Sequence, residues 1–353
     1  MVEKRSLYLH EFNPISDLVL EEHILTCPKF PAIDMHGHMG AIYSDYIASL
    51  FRVNRANIHE AVEMFKKHGI KKMVNLDGFW DGFANLTLET VFDSLKAYDD
   101  FFITFVSVDT ERAKKSGFEQ YVRKHLKKSK ELGAKGIKLF KTVSLMVYND
   151  KNEMVPGRNI SIDDSRLKVI WETAAELDLP VLAHIGDPIG FFKPVDGRNE
   201  QYEQLIEHPE WSYASPGLYT FEECLAMQEN LLRDNPKTTF IIPHFGSYPE
   251  NLSYVGKCLD SYPNMYIDTA ERIGELGRQP YSARKFFIKY QDRILFGSDA
   301  FPEKMELRYT NYFRFFETWD EHFGGRWKLY GISLDDEILE KIYYKNAEKL
   351  LKL

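Results

Sequence analysis

Eight short apolar runs, four to eight residues long, recur along the chain and alternate with longer amphipathic stretches. They are Ala32–His38, Lys72–Asp77, Phe102–Asp109, Ala134–Phe140, Pro180–Ile185, Thr238–His244, Met265–Asp268 and Ile294–Asp299. Runs of this kind suit strands buried on both faces, the condition of a parallel sheet covered by helices. Eight strand–helix units close most simply into a (β/α)₈ TIM barrel, and we expect that α/β fold in a distorted form. The competing doubly wound sheet is weakened because no G-x-G-x-x-G follows the first run.

The intervening stretches carry helix signals. Ile58–His68 places apolar residues at helical spacing and ends at Gly69, and Phe118–Leu132 does the same before Gly133. Ser165–Leu177 follows Asp163 and Asp164, which suit an N-cap. Phe221–Arg233, Tyr281–Tyr290 and a closing stretch over Asp335–Leu353 complete the set. Two segments exceed what connections require. Residues 1–31 form an N-terminal extension expected to pack over a barrel occupying 32–353. The stretch from about Asp187 to Phe221 holds Pro188, Pro194, Pro209 and Pro216 among aromatics and charges, and so long a connection reads as a functional loop or lid.

A chain of 353 residues accommodates one barrel domain. Its net charge of -8, without a sustained basic block, points away from nucleic acid and anionic membranes as partners. No run approaches the roughly 18 apolar residues of a membrane span, and the N-terminus lacks the apolar core of a signal peptide. Cys27, Cys224 and Cys258 are odd in number and far apart, so neither a disulfide framework nor a cysteine metal site is expected. The reading is cytoplasmic, with Asn85-Leu86-Thr87 and two further sequons as chance matches.

Among the eleven histidines, His36, His38, His184 and His244 close the first, fifth and sixth runs, and Asp299 closes the eighth. Residues i and i+2 of a strand share a face, so His36 and His38 can reach one ion together. The C-terminal strand ends of a parallel barrel converge on one rim. Each element alone has an ordinary explanation: H-x-H by chance, a histidine satisfied in the core, Gly-Ser-Asp as a turn. Together they point to a metal site, with imidazole and carboxylate donors suited to zinc and also to manganese, iron or cobalt. His59, His68 and His125 fall in helical or loop stretches and read as surface residues.

These residues, with the ending Ile342-Tyr343-Tyr344-Lys345-Asn346-Ala347, make the chain resemble the amidohydrolase superfamily. The likeness is strongest to the amidohydrolase-related branch of lactonases, hydratases and aminocarboxymuconate-semialdehyde-type decarboxylases. The resemblance implies one divalent ion held by His36, His38, His184 and Asp299, with His244 facing the substrate or bound water. Such an ion lowers the pKa of its water to about 7 and gives a hydroxide nucleophile. Asp299 would pass the proton to a leaving group, and His244 would polarise the carbonyl or stabilise the oxyanion. Lys138, ending the fourth run, is expected to contact substrate or pair with an ion; the resemblance also allows a carboxylated lysine bridging two metals.

Cationic groups near the rim favour a small carboxylate-bearing substrate, since guanidinium forks hold carboxylates well. Arg272 leads, followed by Lys193 and Arg198 on the long loop, with Arg278, Arg52 and Arg55 as further cations. Tyr248 is expected to line the pocket or to pack. Family decarboxylases often carry a glutamate soon after the strand-six His-x-Gly, whereas Ser247-Tyr248-Pro249 follows here. That departure favours hydrolysis of a lactone, ester or amide over decarboxylation, and both over a catalytically dead scaffold. An aromatic content of 14% leaves room for a homo-oligomeric interface.

Overall fold

The computed structural model describes residues 6–8, 11–12, 14–50, 52–78, 86–150, 154–303, 305–325 and 327–353. The Asn85 sequon and part of the N-terminal extension fall outside them.

All eight apolar runs form strands: β1 (Ala32–Gly37), β2 (Ile70–Gly78), β3 (Phe102–Val106), β4 (Gly136–Leu139), β5 (Val181–Ala183), β6 (Phe240–Ile242), β7 (Met265–Asp268) and β8 (Ile294–Leu295). They pair in sequence order, every ladder parallel. The last strand returns to the first. Met35 N–H donates to Phe296 O (2.9 Å), and Ala300 N–H to His36 O (3.1 Å), so the sheet is a nearly closed (β/α)₈ barrel. Most ladders end before the apolar runs do, because the rim residues leave the hydrogen-bonding register.

Strand residues divide into two packed layers. Ile33, Met35, Val74, Leu76, Ile103, Phe105, Leu182, Ile241 and Leu295 fill the barrel, and Ala347 and Leu351 close its base. The opposite faces pack against the helices in one continuous apolar layer.

The expected helices appear at Ile58–Lys67, Phe118–Glu131, Lys168–Glu176, Phe221–Asp234 and Pro280–Tyr290. Gly69 takes φ +73° beyond the first of them, a left-handed stop that costs a glycine little. Helices at Leu88–Leu95, Leu252–Ser261 and Glu306–Glu317, and an antiparallel hairpin of Met146–Tyr148 with Met154–Pro156, had no clear sequence signal. The closing helix is interrupted by a π turn at Lys341–Lys345. Around it, Ile342 O accepts Phe296 N–H (3.0 Å) and Asn346 Nδ2 donates to Ile294 O (2.8 Å), tying the helix to the end of β8.

His68 and His125 are buried, not surface residues. Each satisfies one ring nitrogen on a backbone carbonyl, Thr26 O of the N-terminal extension and Ser107 O respectively, both at 2.8 Å. Among the described residues no helix is long and apolar enough to cross a membrane.

Candidate metal centre

Two bulges aim the first donors. Between Asp34 and Gly37, β1 spends three residues where β2 spends two (Met73 to Asn75), which inverts the alternation. Ile33 and Met35 point into the barrel, and after the bulge His36 and His38 can do so as well. β2 repeats the device against β3, Asn75 to Gly78 opposing Thr104 to Val106, and Asp77 then meets His38. On β5, His184 lies two residues past the inward-facing Leu182 and needs no such correction.

At β6 the backbone itself turns. His244, Phe245, Gly246 and Ser247 all have positive φ, 55°, 57°, 71° and 64°. A left-handed residue costs about 1–2 kcal/mol when it carries a side chain. The turn is held by His244 N–H donating to Asp268 Oδ1 (2.8 Å) and by Ser247 N–H reaching Pro243 O (3.3 Å). Asp299, at φ 62°, is set in the same way beyond β8, where Arg308 donates to its carbonyl (2.8 Å). Strain concentrated at one rim marks a built site. Gly297 passes so close that an added Cβ would lie 3.0 Å from His36 Cβ.

His36, His244 and Asp299 each bring a ligand atom within 4.8 Å of the other two. His36 Nε2 stands 3.5 Å, and His38 Nε2 3.2 Å, from Asp299 Oδ1. The far sides of these rings are fixed. His36 Nδ1 meets Asp268 Oδ2 (2.7 Å), His38 Nδ1 meets Asp77 Oδ1 (2.7 Å), and His244 Nδ1 meets Ala270 O (3.1 Å). For His36 and His244 an acceptor at Nδ1 keeps the proton there and leaves Nε2 with a lone pair directed inward. His184 is turned the other way. Its Nε2 faces Asp187 Oδ1 (3.2 Å), so Nδ1 is the nitrogen free to act as a base, and its ring centre lies 4.4 Å from that of His244.

Burial lowers His36 and His244 well below the ordinary imidazole range and brings His184 to about 4, so these rings are neutral. Burial opposes charge on His38 too, but Asp77 and Asp299 outweigh it and hold the ring up to about 9. Burial likewise works against the Asp299 carboxylate, and the neighbouring imidazoles hold it well below the carboxylate range.

Of the expected substrate contacts, Lys138 and Arg272 reach the site. Lys138 is 1% exposed with no hydrogen-bond partner at Nζ among the described residues, and burial pulls it down to about 8. Arg272 is 9% exposed, and among the described residues its guanidinium makes one hydrogen bond, to Glu271 O (2.9 Å). Lys193 and Arg198 are exposed on the outer part of the long loop. Tyr248 packs its ring on Phe221 and Tyr254, centres 4.7 and 5.7 Å away. Arg278, Arg52 and Arg55 pair with Glu200, Glu210 and Asp45.

Several site residues escaped the sequence reading. Asp77 stands one residue before the end of β2 and Asp268 ends β7, close to the strand-end position that drew attention to Asp299. Asp187, on the long loop, joins His184 to Lys141 Nζ and Tyr213 OH, both 2.9 Å from Oδ2. Glu250, six residues after His244, keeps Oε2 buried without a partner among the described residues.

The amidohydrolase family model matches residues 33–353. Solved structures share the fold at low identity. 2,6-Dihydroxybenzoate decarboxylase from Rhizobium is 16% identical, with a TM-score of 0.57 over 92% of this chain and 99% of that one. A probable 2-pyrone-4,6-dicarboxylic acid hydrolase from Acinetobacter baumannii, with citric acid bound, is 13% identical (TM-score 0.52, 92% and 100% covered). 5-Carboxyvanillate decarboxylase from Novosphingobium aromaticivorans, complexed with manganese and a nitrobenzoic acid, is 14% identical (TM-score 0.53, 92% and 97%). No curated protein sequence matches.

Proposed function

Because the chain belongs to the amidohydrolase family, we propose that it hydrolyses a lactone, ester or amide carbonyl of a small carboxylate-bearing molecule, with His36, His38, His184 and Asp299 holding one divalent ion. The observation that carries this reading is the orphaned Nε2 of His36, buried and without a hydrogen-bond partner among the described residues, beside Asp299 and the inward-facing Nε2 of His38. His36 meets one requirement of a metal site before it binds, a neutral imidazole braced at Nδ1 by a carboxylate. Zinc suits the donors, with manganese, iron or cobalt as alternatives; the manganese bound to the carboxyvanillate enzyme supports the first of these. When bound, such an ion supplies Lewis acidity and activates water.

The protein's own groups do the rest. Asp299 takes the proton of the attacking water and returns it to the leaving oxygen or nitrogen. His244 has its Nδ1–H engaged by Ala270 O and presents Nε2 as an acceptor, so it orients that water. Arg272 offers its unused N–H donors to a substrate carboxylate. Lys138 supports negative charge developing above β4. Residues 1–31 stand as an extension to the barrel of 32–353, and three free cysteines accord with a cytoplasmic setting.

A second reading is non-oxidative decarboxylation. Glu250 favours it: burial raises its carboxyl, and its position near Arg272 suits an acid that delivers a proton to the carbon losing CO₂. The two readings separate on labelled water. Incorporation of ¹⁸O into the product of a lactone or amide panel, lost in Asp299→Asn, supports hydrolysis. Release of CO₂ without ¹⁸O incorporation supports the lyase.

A further inference from the structure

Arg272 closes the turn after β7, its backbone N–H donating to Thr269 O (3.2 Å). Two residues earlier, the Ala270 carbonyl meets His244 Nδ1 (3.1 Å), so this turn borders the candidate metal centre. Arg272 also caps the short helix Ile273–Gly277, in which Glu275 takes the third position. Cap and third-position side chains adjoin at a helix start. Glu250 arrives from the loop after β6. Its Oε1 accepts the N–H of Ile189 (3.3 Å), two residues from Asp187, the partner of His184. Glu275 is 6% exposed, and its Oε2, like that of Glu250, is buried with no hydrogen-bond partner among the described residues.

Burial opposes the charge on Arg272, and Glu275, followed by Asp187, Glu250 and Glu271, sustains it. Two of these carboxylates have cations of their own: Asp187 Oδ2 takes Lys141 Nζ (2.9 Å), and Glu271 pairs with Arg308. Arg278, on which Glu275 and Glu250 also act, is taken by Glu200 (2.9 Å). Arg272 is left as the countercharge of Glu275. Yet among the described residues the guanidinium bonds the Glu271 carbonyl and closes no ion pair with Glu275. Buried opposite charges that do not touch are costly unless a third group joins them.

We propose that the substrate is zwitterionic, an α-amino acid whose carboxylate Arg272 receives and whose ammonium Glu275 accepts. This rests on the carboxylate contact of Arg272 in the hydrolase reading, and it narrows the substrate class. A carboxylate taken by Arg272 strips Glu275 of its countercharge, and an ammonium on the same molecule restores it. A hydroxyl would satisfy Oε2 but leave that charge unmet. A second carboxylate would add like charge beside Glu275 and Glu250. With both α-substituents held, the carbonyl under attack belongs to the side chain, as an ester or amide.

Calorimetric titration of the metal-loaded protein with pairs differing only in the amine tests this: glutamine against glutarate monoamide, and asparagine against succinate monoamide. The amino acid of each pair should bind at least about 10-fold more tightly. Glu275→Gln, isosteric and uncharged, should abolish that preference and strengthen binding of the monoamides, with the thermal midpoint retained. A merely structural role for Glu275 would weaken both members equally and overturn the assignment. In the wild type, where no variant has to fold, equal affinities, a preference for the monoamides or no binding of any member would each overturn it. The hydrolase reading fails separately: a zwitterion preference without ¹⁸O incorporation supports this subsite and removes that reading.

Discussion

Asp268 Oδ2 lies 2.7 Å from His36 Nδ1, and the other oxygen of the same carboxylate accepts the backbone N–H of His244 at 2.8 Å. One buried side chain therefore fixes the tautomer of a β1 histidine and the left-handed turn after β6. Removing its charge should disturb both. Asp268→Asn is expected to weaken metal affinity about 10–100-fold. Competition with a chromophoric chelator would measure it, and unchanged affinity in a folded variant would count against the linkage.

Lys138 is buried without an ion pair or a hydrogen bond at Nζ among the described residues. Replacing an unpaired buried charge by an apolar group of similar length is neutral or stabilising. Lys138→Met should therefore leave the thermal midpoint of the metal-free protein unchanged or higher, while turnover falls about 10²-fold. A large drop in stability would show that the ammonium has a structural partner instead.

Arg272 should act on substrate binding. Losing a charge-assisted fork costs about 1.5–3 kcal/mol, so Arg272→Ala is expected to raise KM roughly 10–100-fold for carboxylate substrates. Arg272→Lys keeps the charge but not the fork and should recover only part of the loss. Steady-state kinetics on acid and neutral-amide versions of one substrate would distinguish this from a general defect, which would weaken both equally.

Burial pushes the thiols of Cys224 and Cys258 up to about 12 and about 11, whereas Cys27 is exposed. Near pH 8 an aromatic disulfide reagent should label one thiol on the native chain and three after unfolding. The linkage also has a sign. An unfolded cysteine ionises near pH 8.5, and these two do so only at higher pH when folded. Their contribution to stability is complete below that value and is lost as pH rises through 11 to 12. Chemical denaturation at pH 8 and pH 10.5 would detect it.

The sequence carried the barrel because buried parallel strands leave continuous apolar runs, and it carried the donors because they end those runs. It did not carry the bulges in β1 and β2, which depend on pairing between strands rather than on either strand alone. Nor could it reveal the four left-handed residues from His244 to Ser247, since only Gly246 hints at positive φ. Asp77 and Asp268 were legible in principle. An aspartate at a strand end looks like an ordinary turn residue until a histidine is found beside it. Lys193 and Arg198 lie on the same long loop as Asp187, yet they are exposed while Asp187 is buried against His184.

The central claim is one divalent ion held by His36, His38, His184 and Asp299, and elemental analysis of metal per chain tests it most directly. Protein purified without chelator or metal-affinity tag should carry about one ion, and His36→Ala and His184→Ala should each lose it while remaining folded. No ion after reconstitution with zinc or manganese would contradict the claim, and two ions per chain would replace it with a dinuclear centre that includes Lys138.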